Sequence, residues 1–90
     1  MSKDFRLQKL KSEISLKISA ILSKISSNRP EISFDSIEQD DITIEPEHIE
    51  LTIYGRNSVL EKRTNFPIIF VDFSRESLNQ LEKDIEENLL

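Results

Sequence analysis

From Asp4 to Ser27 the chain contains neither proline nor glycine, and Leu7, Leu10, Ile14, Ile18, Ile21 and Ile25 recur at steps of three and four. After Pro30 the step becomes two, with Ile32 and Phe34, Ile42 and Ile44, and then Ile49, Leu51 and Ile53 alternating with polar neighbours. The first spacing lines one side of an α-helix and the second lines one side of a β-strand. Near Ser74 the period reverts, and Leu78, Leu81, Ile85 and Leu89 form a single stripe. A helix, a set of strands and a second helix in that order predict an α+β fold: a long N-terminal helix, a mainly antiparallel sheet of three or four strands, and a C-terminal helix.

The predicted helices cover about residues 5–27 and 76–88, and strands are expected near 32–37, 49–54 and 67–73. At about 1.5 Å per residue the first helix runs roughly 36 Å, so part of it should overhang a core this small. Ser2 or Asp4 is expected to cap its start, and Asn28 before Arg29 and Pro30 to end it in a left-handed turn. Gly55, Arg56, Asn57 and Ser58 supply turn chemistry, after which Val59 and Leu60 fit either a short hairpin partner or a loop. Phe66 to Phe73 is a nearly continuous apolar run, the pattern of a strand covered on both faces. Pro67 should mark its beginning or a sheet edge, because proline cannot donate to a ladder. Ser74 or Ser77 is placed to cap the second helix, Ser77 in a capping box with Gln80.

With 90 residues and neither repeat nor linker, the whole chain 1–90 reads as one domain. The charge of −5 hides a segregation. Residues 1–29 carry seven bases against two acids, residues 31–54 carry eight acids and no base, residues 55–75 carry four bases against two acids, and residues 76–90 one base against five acids. The N-terminal stretch is charged and amphipathic, without an unbroken apolar segment for a signal or a membrane span, so a cytoplasmic location without membrane insertion is expected.

No catalytic or cofactor chemistry is indicated. The chain has no cysteine, which removes thiolate nucleophiles and the commoner zinc sites. His48 is the only histidine and reads as a solvated turn residue, since a general base needs a partner within hydrogen-bond reach. Calcium loops space their acids at alternate positions around a glycine, and the segment of Glu38, Asp40 and Asp41 has no glycine and reads as a solvated connection between strands. One glycine, Gly55, cannot build either of the usual phosphate-cradling loops. No enzyme, cofactor or metal site is expected.

The first helix has three faces: the apolar stripe, a basic row of Arg6, Lys9, Lys17 and Lys24, and a serine row of Ser12, Ser15, Ser19, Ser23 and Ser26. The serine row reads either as a solvated face or, because small side chains at this spacing let another backbone approach closely, as a contact surface, which Leu16 beside it favours. The candidate interaction residues are therefore Ser12, Ser15, Leu16, Ser19 and Ser23 on the helix, with Glu45, Glu47 and Glu50 on the acidic strands. The expected partner is another protein or a second copy. An acidic inhibitor occupying a nucleic-acid-binding site on a target is the alternative. Weak binding of nucleic acid by the basic row comes third, opposed by the net negative charge.

Arg29, Pro30, Glu31 and Ile32 after a long helix, the strand Ile49, Glu50, Leu51, Thr52, Ile53, Tyr54, and then Thr64, Asn65, Phe66, Pro67 resemble the later part of the baseplate wedge proteins shared by contractile phage tails and type VI secretion systems. The resemblance covers about residues 10–70. That family has Glu, Pro, Arg in this order after its helix, whereas this chain has Arg29, Pro30, Glu31, so the family's interaction motif does not carry over to these positions. The family's N-terminal region has no counterpart, and the C-terminal helix is additional. The resemblance implies a structural subunit that docks on sheath and baseplate partners and catalyses nothing.

Overall fold

A computed structural model describes the backbone of residues 2–90 and the side chains of residues 6–90. Helix α1 (Ser2–Asn28) leads into strands β1 (Ile32–Phe34), β2 (Ile42–Ile44), β3 (Ile49–Asn57) and β4 (Lys62–Phe70), and helix α2 (Arg75–Leu89) closes the chain. The order is the α+β one expected, with a four-stranded antiparallel sheet. β3 is the central strand. β4 pairs along its whole length on one side, while β1 and β2 lie end to end on the other, β1 against Gly55–Asn57 and β2 against Ile49–Leu51. Between them residues 35–41 leave the sheet, turn through a short 3-10 segment at Gln39–Asp41, and tuck the half-buried Ile37 into the core. This excursion shortens the strand expected over 32–37 to three residues.

Both helices lie on one face of the sheet and run in the same direction. Lys17 sits over the Phe73 ring at 5.1 Å, Lys24 meets Glu82 at 3.3 Å, and Arg29 meets Glu86 at 3.7 Å, so residue numbers rise together along the two axes. Ile14, Ile18, Leu22 and Ile25 of α1 and Leu81, Ile85 and Leu89 of α2 pack on Leu51, Ile53, Phe66, Ile68 and Phe70. The buried stripe of α1 differs from the one expected at both ends. Leu7 and Leu10 are 43% and 39% exposed, because the first turns run past the start of α2, while Leu22, on the serine side of the expected stripe, is buried. About 40 Å of helix in a molecule whose longest dimension is 46 Å accounts for the overhang. Among the described residues no helix is long and apolar enough to cross a membrane.

Several terminators act differently from expectation. Gly55 lies inside β3, not in a turn: a Cβ there would stand 2.8 Å from Leu89 Cδ1 and 3.1 Å from Phe34 Cδ1, so glycine is needed for close approach of α2. The β3–β4 turn comes three residues later at Ser58–Glu61, with Glu61 at φ 53 as the only non-glycine positive φ among the described residues. Val59 and Leu60 are therefore neither strand nor a long loop but the tip of this turn. Asn28 does not adopt the left-handed stop. The helix ends with Arg29 N–H donating to Ile25 O, and Pro30, which cannot continue the ladder, forces the chain out. The cap expected at Ser2 or Asp4 falls on side chains outside the described residues. α2 is capped by Ser74, whose hydroxyl accepts from Ser77 N–H at 3.3 Å, in place of the Ser77–Gln80 box.

Candidate interaction surface

The strand β4 was expected to be covered on both faces, and only one face is covered. Phe66, Ile68 and Phe70 point into the core, whereas Pro67 and Ile69, with Val71 beyond the strand, are exposed, Ile69 at 61% and Val71 at 68%. Both helices are on the other side, and none of the described residues lies over these side chains.

The register sorts this outer face into rows. Arg56 lies opposite Arg63 with Ser33 beside Arg56; Tyr54 lies opposite Asn65; Thr52 opposite Pro67; and Glu50 opposite Ile69 with Thr43 beside Glu50. Beyond the last row, Glu45 and His48 close a tight turn over Pro46 and Glu47, with Glu45 N–H donating to His48 O at 2.9 Å. One end of the face is thus basic and the other acidic and apolar. Placing arginines directly across a ladder is unfavourable. Arg56 is relieved by Asp35, whose carboxylate it meets at 3.4 Å, and Arg63 has no acidic partner among the described residues. These side chains, with Tyr54 and Asn65, rim a shallow depression of about 420 Å³.

The residues singled out from the sequence fall into two separate places. Glu45, Glu47 and Glu50 gather at the acidic end of the sheet, Glu45 and Glu47 exposed and Glu50 half-buried. Ser12, Ser15, Leu16, Ser19 and Ser23 lie on α1, in the helical layer. Ser12 and Ser23 are exposed, Ser15 and Ser19 half-buried, and Leu16 is 73% exposed. Across from the serine row lies the segment that follows β1. Gln39 donates its side-chain amide to Ser12 Oγ at 3.4 Å, and Phe34, Asp35 and Ser36 face Ser19, Ser23 and Ser26 across a groove of about 410 Å³.

The basic row of α1 is partly engaged as well, since Lys17 lies over the Phe73 ring just before α2 and Lys24 meets Glu82 of α2. His48 is half-buried in its turn. Among the described residues no three His, Asp or Glu side chains converge as a metal site would require. The signal that could have revealed the outer face was the parity of Pro67, Ile69 and Val71 against Phe66, Ile68 and Phe70, hidden because both sets are apolar. Comparison of the chain with protein-family models, with curated proteins and with solved structures finds no match.

Proposed function

We propose that this chain is a non-catalytic protein–protein interaction or assembly subunit, the role that its resemblance to baseplate wedge proteins also implies. The observation that carries the reading is the outer face of the sheet, where Ile69 and Val71 stand exposed beside Pro67 and Tyr54. Single exposed apolar residues are ordinary, but neighbours on one rigid face with polar groups around them are the composition of a contact surface. The test is capture from extract of the native host by immobilised protein, with Ile69→Lys and Val71→Lys together as the control bait. A partner held by the natural chain and lost by the control supports the proposal. Equal capture by both baits refutes this face as the interface.

A second reading, an acidic inhibitor that occupies a nucleic-acid-binding groove, has one observation in its favour. Of the eight acids between Glu31 and Glu50, only Asp35 has a basic partner among the described residues, and Asp40, Glu45 and Glu47 are exposed. Its mark would be a captured protein that added nucleic acid displaces and that a Glu45→Gln, Glu47→Gln bait no longer holds. Nucleic-acid binding by α1 has less support, because Lys17 lies over Phe73 and Lys24 and Arg29 are directed to α2.

A further inference from the structure

We infer that the outer face of the sheet pairs with the same face of a second copy, strands antiparallel across a two-fold axis lying between the two sheets. This rests on the reading of the chain as an interaction subunit and names its partner.

The argument begins with the charge order along β3 and β4. The row of Glu50 and Ile69 is separated from the row of Arg56 and Arg63 by six residues of β3, about 20 Å. A two-fold axis in the interface, perpendicular to the strands, reverses the rows, so each acidic row lies over the partner's basic row. The rows of Tyr54–Asn65 and Thr52–Pro67 then meet in the middle. A two-fold axis parallel to the strands would put arginine over arginine, so electrostatics selects the first arrangement. An isologous contact requires this self-complementarity, because one surface must serve as both halves.

Shape agrees with charge. The depression rimmed by Arg56, Arg63, Tyr54 and Asn65 is concave where the opposite row carries the protruding Ile69. Seating Ile69 there buries its exposed side chain and brings the partner's Glu50 within reach of Arg63, across one strand spacing of about 4.8 Å. Arg56 already holds Asp35, which leaves Arg63 as the guanidinium available to the partner. The sheet edges are less suited to self-pairing: on one side Pro67 interrupts β4, and on the other residues 35–41 break the edge between β1 and β2. Three strands by nine residues give a face of roughly 14 by 30 Å, smaller than the ~800 Å² per partner of a standard interface. The dimer is therefore a weak and reversible one, to be sought up to about 1 mM.

The test is sedimentation equilibrium of the full chain from about 1 µM to 1 mM at low salt, where charge pairing is least screened. The natural chain should rise from 10.5 kDa toward twice that mass. Ile69→Lys, Arg63→Glu and Glu50→Arg should each weaken association at least about tenfold, with circular dichroism showing an unchanged fold. The double variant Glu50→Arg, Arg63→Glu should regain it to within about threefold, because in an isologous pair the exchanged charges meet again. A chain that stays monomeric to 1 mM, an Ile69→Lys variant that dimerises as before, or a double variant as weak as the single ones overturns the inference. A monomeric chain that still captures a host protein through Ile69 and Val71 removes the second copy while leaving the proposed function standing.

Discussion

Replacing Asn57 by alanine tests the joint that holds α2, the end of β3 and the β3–β4 turn together. Asn57 is the only buried polar residue among those described, at 3% exposure. Its amide donates to Leu89 O at 2.8 Å, and its carbonyl oxygen accepts from the N–H groups of Val59 and Leu60, both at 3.1 Å. Leu89 is the last residue of α2, so its carbonyl is one of those a helix leaves without an internal partner. Truncation strands that carbonyl against the sheet, at about 1–3 kcal/mol for an unsatisfied buried acceptor. The two N–H groups lie at the exposed tip of a turn and recover water, so their loss adds about 0.5 kcal/mol each at most. The expected cost is about 2–3 kcal/mol, against a total of roughly 5–13 kcal/mol for a chain of this length.

Thermal and urea denaturation followed by circular dichroism should show a midpoint lowered by about 10–20 °C. Asn57→Asp separates the contributions. It retains the acceptor for Val59 and Leu60 but loses the donor and sets a negative charge beside the carbonyl end of α2, so it should be at least as damaging as alanine. A loss below about 1 kcal/mol for Asn57→Ala, or an aspartate variant milder than the alanine one, would refute the reasoning.

Gly55→Ala should cost about 1 kcal/mol in urea unfolding, because the new methyl group meets Leu89 Cδ1 at 2.8 Å and only side-chain ends need to shift; Gly55→Val should cost more. The Asp72 carboxylate is held below its ordinary value of 3.8, first by the Ser74 N–H and then by the Ser77 and Ser74 hydroxyls. Its stabilising effect is present above about pH 4 and lost as pH falls through the lowered folded value, so Asp72→Asn should flatten the acid limb of the stability profile. Glu61→Gly should stabilise the chain by about 0.5–1 kcal/mol in thermal melts, since Glu61 holds φ 53, a region where a Cβ is strained. Pro67→Val should restore an N–H to the free edge of β4 and so increase concentration-dependent aggregation in light scattering while leaving the monomer fold intact; unchanged scattering would argue against an edge role for Pro67.

The elements were legible wherever one residue class alone kept a period. Helix α1 followed from Ile14, Ile18 and Ile25, and β3 from Leu51 and Ile53 against Glu50 and Thr52. The period failed where both parities were apolar, as in Phe66 to Val71, so that an open face looked like a doubly covered strand. It failed again at Gly55, which reads as a turn until its parity with Leu51 and Ile53 places it inside, and Asn57 shares that parity. The acidic residues Glu45, Glu47 and Glu50 were recognisable as a group because no Lys or Arg interrupts them, although Glu50 is half-buried. The serine row shows in the sequence as a stripe of small side chains, but local spacing carries no information on what lies opposite it. Here residues 34–39 fold back upon it.

The two edges of the sheet bear on how the outer face can act. Asp35 N–H donates to Tyr54 O and Glu45 N–H donates to His48 O, so the even-numbered residues of β3 direct their backbone groups toward β1 and β2. In an antiparallel ladder directly opposed residues turn their backbone groups the same way relative to the pair, together or apart. Asn65, Pro67 and Ile69, opposite Tyr54, Thr52 and Glu50, therefore aim theirs at the free edge of β4. Pro67 thus removes a donor from the middle of that edge, where an added strand would need it. The other edge is split by residues 35–41 into two strands of three residues each, too short to template a continuous neighbour. Strand addition is disfavoured on both sides while Ile69 remains exposed on the face between them, with Val71 exposed just beyond β4. The contact proposed for this face would rest on side chains, whose order along the rows, unlike a backbone ladder, can distinguish one partner from another.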